Sequence, residues 1–295
     1  MLVATLLTDP SGPGLDADLV SNLRNAWGGS EVVWLNPDVA AEFDLAQIPD
    51  NFDEVWSSLQ SLGADLVITP ADGRRKRMLL ADMDSTMIQQ ECIDELADEA
   101  GFGARVAEIT ARAMNGELDF EAALTERVGL LKGLNSAVID TVLSERITLM
   151  PGGSTLLATM KVHGAYAALV SGGFTAFTSA ISETLGFDEH RANTLVITND
   201  RLTGEVTRPI LGRAAKVQAL DQITAMLGIE DGDVIAVGDG ANDLGMLTRA
   251  GLGVALHAKP AVQAQVNVRI NHGDLTALLY VQGYTAEEFA DVEKT

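Results

Sequence analysis

The chain has 295 residues, 47% of them apolar, a single cysteine and a formal net charge of -22; such a chain is globular, with room for a large core and one or two smaller units. That charge argues strongly against nucleic acid or an anionic membrane as partner, because both reward basic patches. No uninterrupted apolar run is long enough to span a membrane, and Met1 to Thr8 lacks the basic flank of a signal peptide, so a soluble cytoplasmic protein is expected.

Residues 1 to 75 have their own rhythm: strand Leu2 to Leu7, helix Asp16 to Ala26, strand Glu31 to Leu35, helix Asn51 to Leu62 and strand Asp65 to Ile68. This alternation predicts a small α+β unit. A breaker-rich turn, Asp9 to Gly14, follows the first strand, and a basic stretch, Arg74 to Arg77, reads as a solvated linker. Next comes Leu79 to Met87, an apolar run that ends in Asp82 and Asp84. Unalternating apolar runs suit a parallel sheet covered on both faces, where ligands bind at the strands' carboxyl ends. From Gln89 to about Leu149 the apolar residues recur at helical spacing, which predicts a helical insertion over 89–150 placed to cover that strand end. Cys92 lies within it and reads as a structural thiol.

From Pro151 onward, helices at Ser154 to Val162, Phe174 to Leu185, Ala214 to Leu227, Asn242 to Ala250 and Asp274 to Val281 alternate with strands at Ala165 to Val170, Asp233 to Val237, Gly253 to Ala255 and Val266 to Ile270. A strand pair, Thr194 to Ile197 and Leu202 to Val206, interrupts the series. The pattern predicts an α/β fold with a doubly wound parallel sheet built from 76–88 and 151–295.

Chemistry-bearing residues fall at the ends of these strands. Asp82 and Asp84 do not open a calcium loop of the helix-loop-helix type, since Met87 and Ile93 stand where that loop needs Gly and Glu. Ser171, Gly172 and Gly173, at the start of a helix, offer a hydroxyl and backbone N–H groups to an anion. Gly238-Asp239-Gly240-Ala241-Asn242-Asp243 brings two glycines and hard oxygen ligands suited to magnesium. Lys216, early in its helix, can neutralise a phosphate and a carboxylate together.

As an ordered set, Asp82-Met83-Asp84-Ser85-Thr86, Ser171-Gly172-Gly173, Lys216 and Gly238 to Asp243 resemble the four motifs of the haloacid dehalogenase superfamily, from about Leu79 to the end of the chain. With Glu91, Phe120 and Arg127 in the insertion, the resemblance narrows to the phosphoserine phosphatase family. It implies a magnesium-dependent hydrolysis of O-phospho-L-serine to L-serine and phosphate, the last step of serine biosynthesis. Asp82 would be the nucleophile, Asp84 the acid and base, and Lys216, Ser171 and Gly172 the phosphate-stabilising groups. Asp82, Asp84 and Asp239 would hold magnesium, with Asp243 and Asn242 close by to orient ion or substrate. Glu91 and Arg127 would take the substrate's amino and carboxylate groups, and Met114 and Phe120 would wall the pocket.

The first 75 residues resemble, more weakly, the amino-acid-binding ACT-type units that precede this core in several relatives, which implies a ligand-binding, homodimerising or structural role. The spacing leaves serine and homoserine phosphates undistinguished, and a chain that binds amino acids without turnover is the alternative of a different class. His163, His190, His257 and His272 fall in no motif.

Overall fold

The computed structural model describes residues 1–12, 14–114 and 117–291, and the side chains at 113 and 114 lie outside that description. The N-terminal segment runs β1 (Leu2–Thr8), α1 (Ala17–Trp27), β2 (Val33–Asn36), β3 (Ala40–Leu45), α2 (Phe52–Gln60) and β4 (Ala64–Pro70). The strands form one antiparallel sheet in the order β2-β3-β1-β4. Strand β3 escapes the sequence reading because Glu42 and Asp44 break its apolar run, yet their alternation with the buried Ala41, Phe43 and Leu45 is that of a half-buried strand. One face of this sheet, with Leu6, Phe43 and Leu66, packs on its own helices. The other, with Leu7, Val39 and Val67, shares a core with Leu256, Ile270 and Leu275 of the rest of the chain.

The stretch Arg74 to Arg77 is only partly solvated: Arg77 is exposed, but Arg74 is held within the protein. Arg74 makes a two-point ion pair with Glu42 at 2.6 and 3.1 Å and donates to the carbonyls of Val281 and Tyr280, while Arg75 pairs with Glu288 and lies over the Tyr284 ring. Lys76 donates to the carbonyls of Gly73 and Gly232, so positive charge in this acidic chain finds carboxylates and carbonyls as well as water.

β5 (Met78–Ala81) then starts the main sheet. Leu79 and Ala81 point into one apolar layer and Met78 and Leu80 into the other, so the strand is covered on both faces. Four helices follow, α3 (Cys92–Glu99), α4 (Gly103–Met114), α5 (Phe120–Leu130) and α6 (Ala137–Glu145). The insertion leaves and rejoins the sheet through a two-stranded neck, in which Gln89 N–H donates to Thr148 and Met150 N–H to Met87 beside a bridge between Ile88 and Leu149.

The remainder comprises α7 (Gly153–Val162), β6 (Tyr166–Phe174), α8 (Thr175–Leu185), β7 (Glu189–Asn193), the hairpin β8 (Leu195–Thr198) and β9 (Arg201–Val206), and α9 (Arg213–Leu227). It closes with β10 (Val234–Gly238), α10 (Leu244–Arg249), β11 (Leu252–Leu256), α11 (Pro260–Gln263), β12 (Val268–Ile270) and α12 (Ala277–Val281). The six main strands are parallel in the order β12-β11-β10-β5-β6-β7, and the winding reverses between β5 and β10, which opens the crevice where ligands bind in such sheets. Strand β7 is an edge strand whose polar Glu189, His190 and Arg191 hide it from an apolar search and suit an exposed edge. The end of β6 also differs from expectation. Ser171, Gly172 and Gly173 belong to extended chain, with a register shift against β7, and α8 begins only at Thr175.

Candidate active site

Asp82 follows β5 directly and is 4% exposed. Its Oδ1 accepts from Lys216 Nζ at 2.7 Å and from the Met83 N–H at 2.8 Å, so Oδ2 is the oxygen left for chemistry. Burial and Asp243 push this carboxyl well above the usual range, Lys216 pulls it back, and Asp84 adds to the rise. Asp84 is fixed at both oxygens. Oδ1 accepts from the Cys92 N–H at the first turn of α3, and Oδ2 accepts from Ser171 Oγ at 3.1 Å. The insertion therefore begins on the carboxylate that the motif presents.

Lys216, on the first turn of α9, is 2% exposed and lies between two carboxylates, with Asp243 Oδ1 at 2.5 Å opposite Asp82. Burial alone would lower its pKa, but Asp243 and Asp82 overcome that and leave it raised, so it is a fixed cation. Asp243 is fully occupied: its Oδ2 takes the Gly240 N–H at 2.9 Å. Gly238 and Gly240 are needed here, since a Cβ on either would stand within 2.5 Å of the Asp243 or Asn242 side chain. The carboxylate oxygens of Asp82, Asp239 and Asp243 come within 4.8 Å of one another. Burial and Asp243 push Asp239 up to about 6, with Lys259 and Lys216 opposing. Asp82 and Asp243 share the Lys216 ammonium, Asp239 adjoins them, and all the donors are hard oxygens. This set fits a divalent cation such as magnesium.

Ser171 Oγ, besides donating to Asp84, accepts the Gly173 N–H at 2.8 Å, and a Cβ on Gly173 would stand 2.6 Å from Asp84. The Gly172 N–H lies between them on the same extended end of β6. Asn193, which carries no motif, holds this loop to the next one. Its amide donates to the carbonyls of Gly172 and Leu211 and accepts the Leu211 N–H, at 2.8, 3.1 and 2.7 Å. Asn193 is 2% exposed, and the sequence reading misses it because a lone asparagine after a charged run looks like a turn.

From the insertion, the Phe120 ring reaches down onto Gly172 and Gly212, where a Cβ on either glycine would come 3.1 Å from it. Phe120 is set at the start of α5 by Asp119, whose side chain accepts the Ala122 N–H. Glu91 caps α3 in extended conformation and its Oε1 accepts from Ser85 Oγ at 2.9 Å. Burial among protein groups and the nearby Asp84 push Glu91 up to about 7, although water reaches its carboxylate. Among the described residues Arg127 bonds only Ala123 O of its own helix, at 3.3 Å. Burial lowers its pKa while Asp94, Glu91 and Asp84 oppose, which places its guanidinium in the field of the site's carboxylates. The side chain of Met114 lies outside the described residues, and Asn242 lies in the loop after β10 with its Oδ1 towards Gly240. Cys92 is buried, and burial and Asp84 push its thiol up, so it is no nucleophile.

A sequence profile of the haloacid dehalogenase-like hydrolase family matches residues 79–248, which spans β5, the insertion and the loop of Asp239 and Asp243. The chain belongs to that family. Its similarity to particular members is high. It is 46% identical over 230 residues to phosphoserine phosphatase of Streptomyces coelicolor, covering 77% of this chain and 56% of that one. It is 47% identical over 208 residues to phosphoserine phosphatase of a Polaromonas species, covering 69% and 88%. This haloacid dehalogenase-like hydrolase thus spans just over half of the Streptomyces relative. Among solved structures, a hydrolase of the same family from Salmonella enterica serovar Typhi superposes with a TM-score of 0.85 at 33% identity, over 95% of this chain and 98% of that one. A substrate-bound phosphoserine phosphatase complex superposes with a TM-score of 0.66 at 39% identity, over 70% and 98%.

Proposed function

We propose that the protein is a magnesium-dependent phosphatase that hydrolyses O-phospho-L-serine to L-serine and phosphate through an aspartyl phosphate on Asp82. The observation that carries this reading is the division of labour between Asp82 and Asp84. One has a free oxygen beside a buried ammonium, and the other is held by Ser171 and the start of the insertion. The names of the relatives point the same way.

Asp82 Oδ2 attacks phosphorus in line while Asp84 gives its proton to the departing serine oxygen. Water then attacks the aspartyl phosphate, its proton passes to Asp84, and phosphate leaves with Asp82 restored as carboxylate. Lys216, the Gly172 N–H and Ser171 stabilise the equatorial oxygens as charge spreads over them. Asp82, Asp239 and the Asp84 carbonyl would hold magnesium, which when bound offsets the repulsion between the anionic nucleophile and the anionic ester; Asp243 and Asn242 would orient it from close by. Glu91 and Arg127 suit the ammonium and carboxylate of an amino-acid ester, and Phe120, with Met114, would wall the space between insertion and sheet.

In this reading 1–75 is a small ACT-like α+β unit, 76–88 with 151–295 the catalytic core, and 89–150 a cap. The protein would act in the cytoplasm and supply serine. The outer edge of β2, where Val33 is 51% exposed, would be the edge available for homodimer pairing, since β4 lies against the core.

Phosphate release from L-phosphoserine, phosphohomoserine and phosphoglycolate, with magnesium and with chelator, tests the proposal. Magnesium-dependent preference for L-phosphoserine is expected. Preference for phosphohomoserine would move the substrate, and no turnover of any ester would favour an amino-acid-binding protein.

A further inference from the structure

Asp84 and Ser85 are stitched to the start of α3 by three bonds in succession. Asp84 Oδ1 accepts the Cys92 N–H at 2.9 Å, the Ser85 N–H donates to the Gln90 carbonyl at 3.2 Å, and Ser85 Oγ donates to Glu91 Oε1 at 2.9 Å. Ser85 does this from a left-handed backbone with a φ of 55°, which a residue other than glycine keeps only where its surroundings hold it. The loop from 84 to 92 is thus closed on itself.

Gln90 is where that loop meets the rest of the neck. Its side-chain amide reaches across to the returning strand at two points: Nε2 donates to Thr148 Oγ1 at 2.8 Å, and Oε1 accepts the Thr148 N–H at 2.9 Å. The Gln90 carbonyl is already given to Ser85, so the side chain supplies the rung of the neck that follows the bond from the Gln89 N–H to Thr148. Such a contact needs a donor and an acceptor side by side, which a carboxamide carries. A two-stranded ribbon is marginal alone, so a rung at its end decides where the last residues lie. Gln90 is half-buried and Thr148 exposed, and a contact open to water adds little to stability. What it fixes is position, and the next residue is Glu91.

We propose that Gln90, clamped to Thr148, is a positioning residue that holds Glu91 where it meets the ammonium of the substrate. This rests on the phosphoserine reading and adds to it the pair that aims one of its substrate-binding groups. Ser85 fixes one oxygen of Glu91 and Gln90 fixes its backbone, which leaves Oε2 for the ligand.

The test is Gln90→Ala, Thr148→Val and the double variant, assayed with L-phosphoserine, phosphoethanolamine and an aryl phosphate that carries no ammonium. For Gln90→Ala, kcat/KM should fall about fivefold or more for the two ammonium esters, mainly through KM, with the aryl phosphate unchanged. Thr148→Val loses the hydroxyl and keeps the backbone N–H, so it should show part of that fall. The double variant should be no worse than Gln90→Ala, because the same contact is already gone. Thr148→Ser keeps the hydroxyl and should keep the wild-type selectivity. Melting temperatures are measured alongside, and Thr148→Val carries the test if Gln90→Ala folds poorly. Equal loss for all three esters would make the clamp merely structural. Unchanged use of L-phosphoserine would leave it idle, and losses that add in the double variant would mean that the two residues do not act as a pair. Each of these overturns the proposal. Failure of the wild-type protein to turn over L-phosphoserine, seen before any variant is made, would instead overturn the reading beneath it.

Discussion

Asp82 and Asp84 differ by what surrounds each oxygen, and that difference sets the expected behaviour of their variants. Asp82→Asn keeps the shape of the side chain and an oxygen for Lys216, but removes the anionic nucleophile. Turnover should drop by on the order of 10⁴-fold or more, and no phosphoenzyme should form. Intact-mass measurement after a brief exposure to substrate checks this. Persistent phosphorylation would move the nucleophile elsewhere. Lys216→Ala acts differently, because it leaves Asp82 and Asp243 buried at 4% and 0% exposure with no cation between them. Removing one member of a buried ionic cluster costs about 3–5 kcal/mol. Denaturant unfolding should show that loss, and millimolar magnesium should recover part of it by binding the same carboxylates in the folded state. A loss that magnesium does not reduce would mean that these oxygens do not share a cation.

At the scale of elements, the site is a meeting of strand ends held together by loops that carry no motif. Asn193, at the end of the edge strand β7, ties the Gly172 loop to the loop before α9, and Phe120 rests on both. Asn193→Ala removes three part-buried hydrogen bonds and leaves their backbone partners without it, so a loss of about 2–4 kcal/mol is expected. The kcat should also fall, because the Gly172 N–H loses its support; an unchanged kcat in a folded variant would show that the loop is rigid without it. The sequence made legible what is continuous or fixed in spacing: the apolar run of β5, the order of the four motifs, the long helical insertion. It hid what depends on distant partners. Ser171 lies on extended chain that bonds Asp84, eighty-seven residues away in sequence, rather than at a helix start. The charges of β7 and of β3 masked strands whose other faces are paired or buried.

At the scale of the whole molecule, the N-terminal segment is fused to the sheet that carries the site. Asp65 of β4 is completely buried and accepts three backbone N–H groups, those of Asn271, His272 and Gly273, at 2.9 to 3.0 Å. These residues follow β12, so a carboxylate from the first sheet organises a loop of the second. The Arg74–Glu42 pair, the bond from Asn36 to the Tyr280 hydroxyl and the shared apolar layer extend the same junction. Segments that share a core and buried polar contacts unfold together rather than in sequence. A single cooperative thermal transition is therefore expected for the wild-type protein, reported equally by probes in the N-terminal segment and near the site. Asp65→Ala strips the acceptor from three backbone donors, one buried and two part-buried, and should lower stability by about 3 kcal/mol. That loss should weaken the junction before it weakens either sheet. In the variant the transition should split, with a probe at Trp27 or Trp34 reporting the earlier step. A variant that melts early but still in one step would mean that the two sheets have no separate stability to reveal. An unchanged melting temperature would mean that the 271–273 loop finds other acceptors when Asp65 is gone.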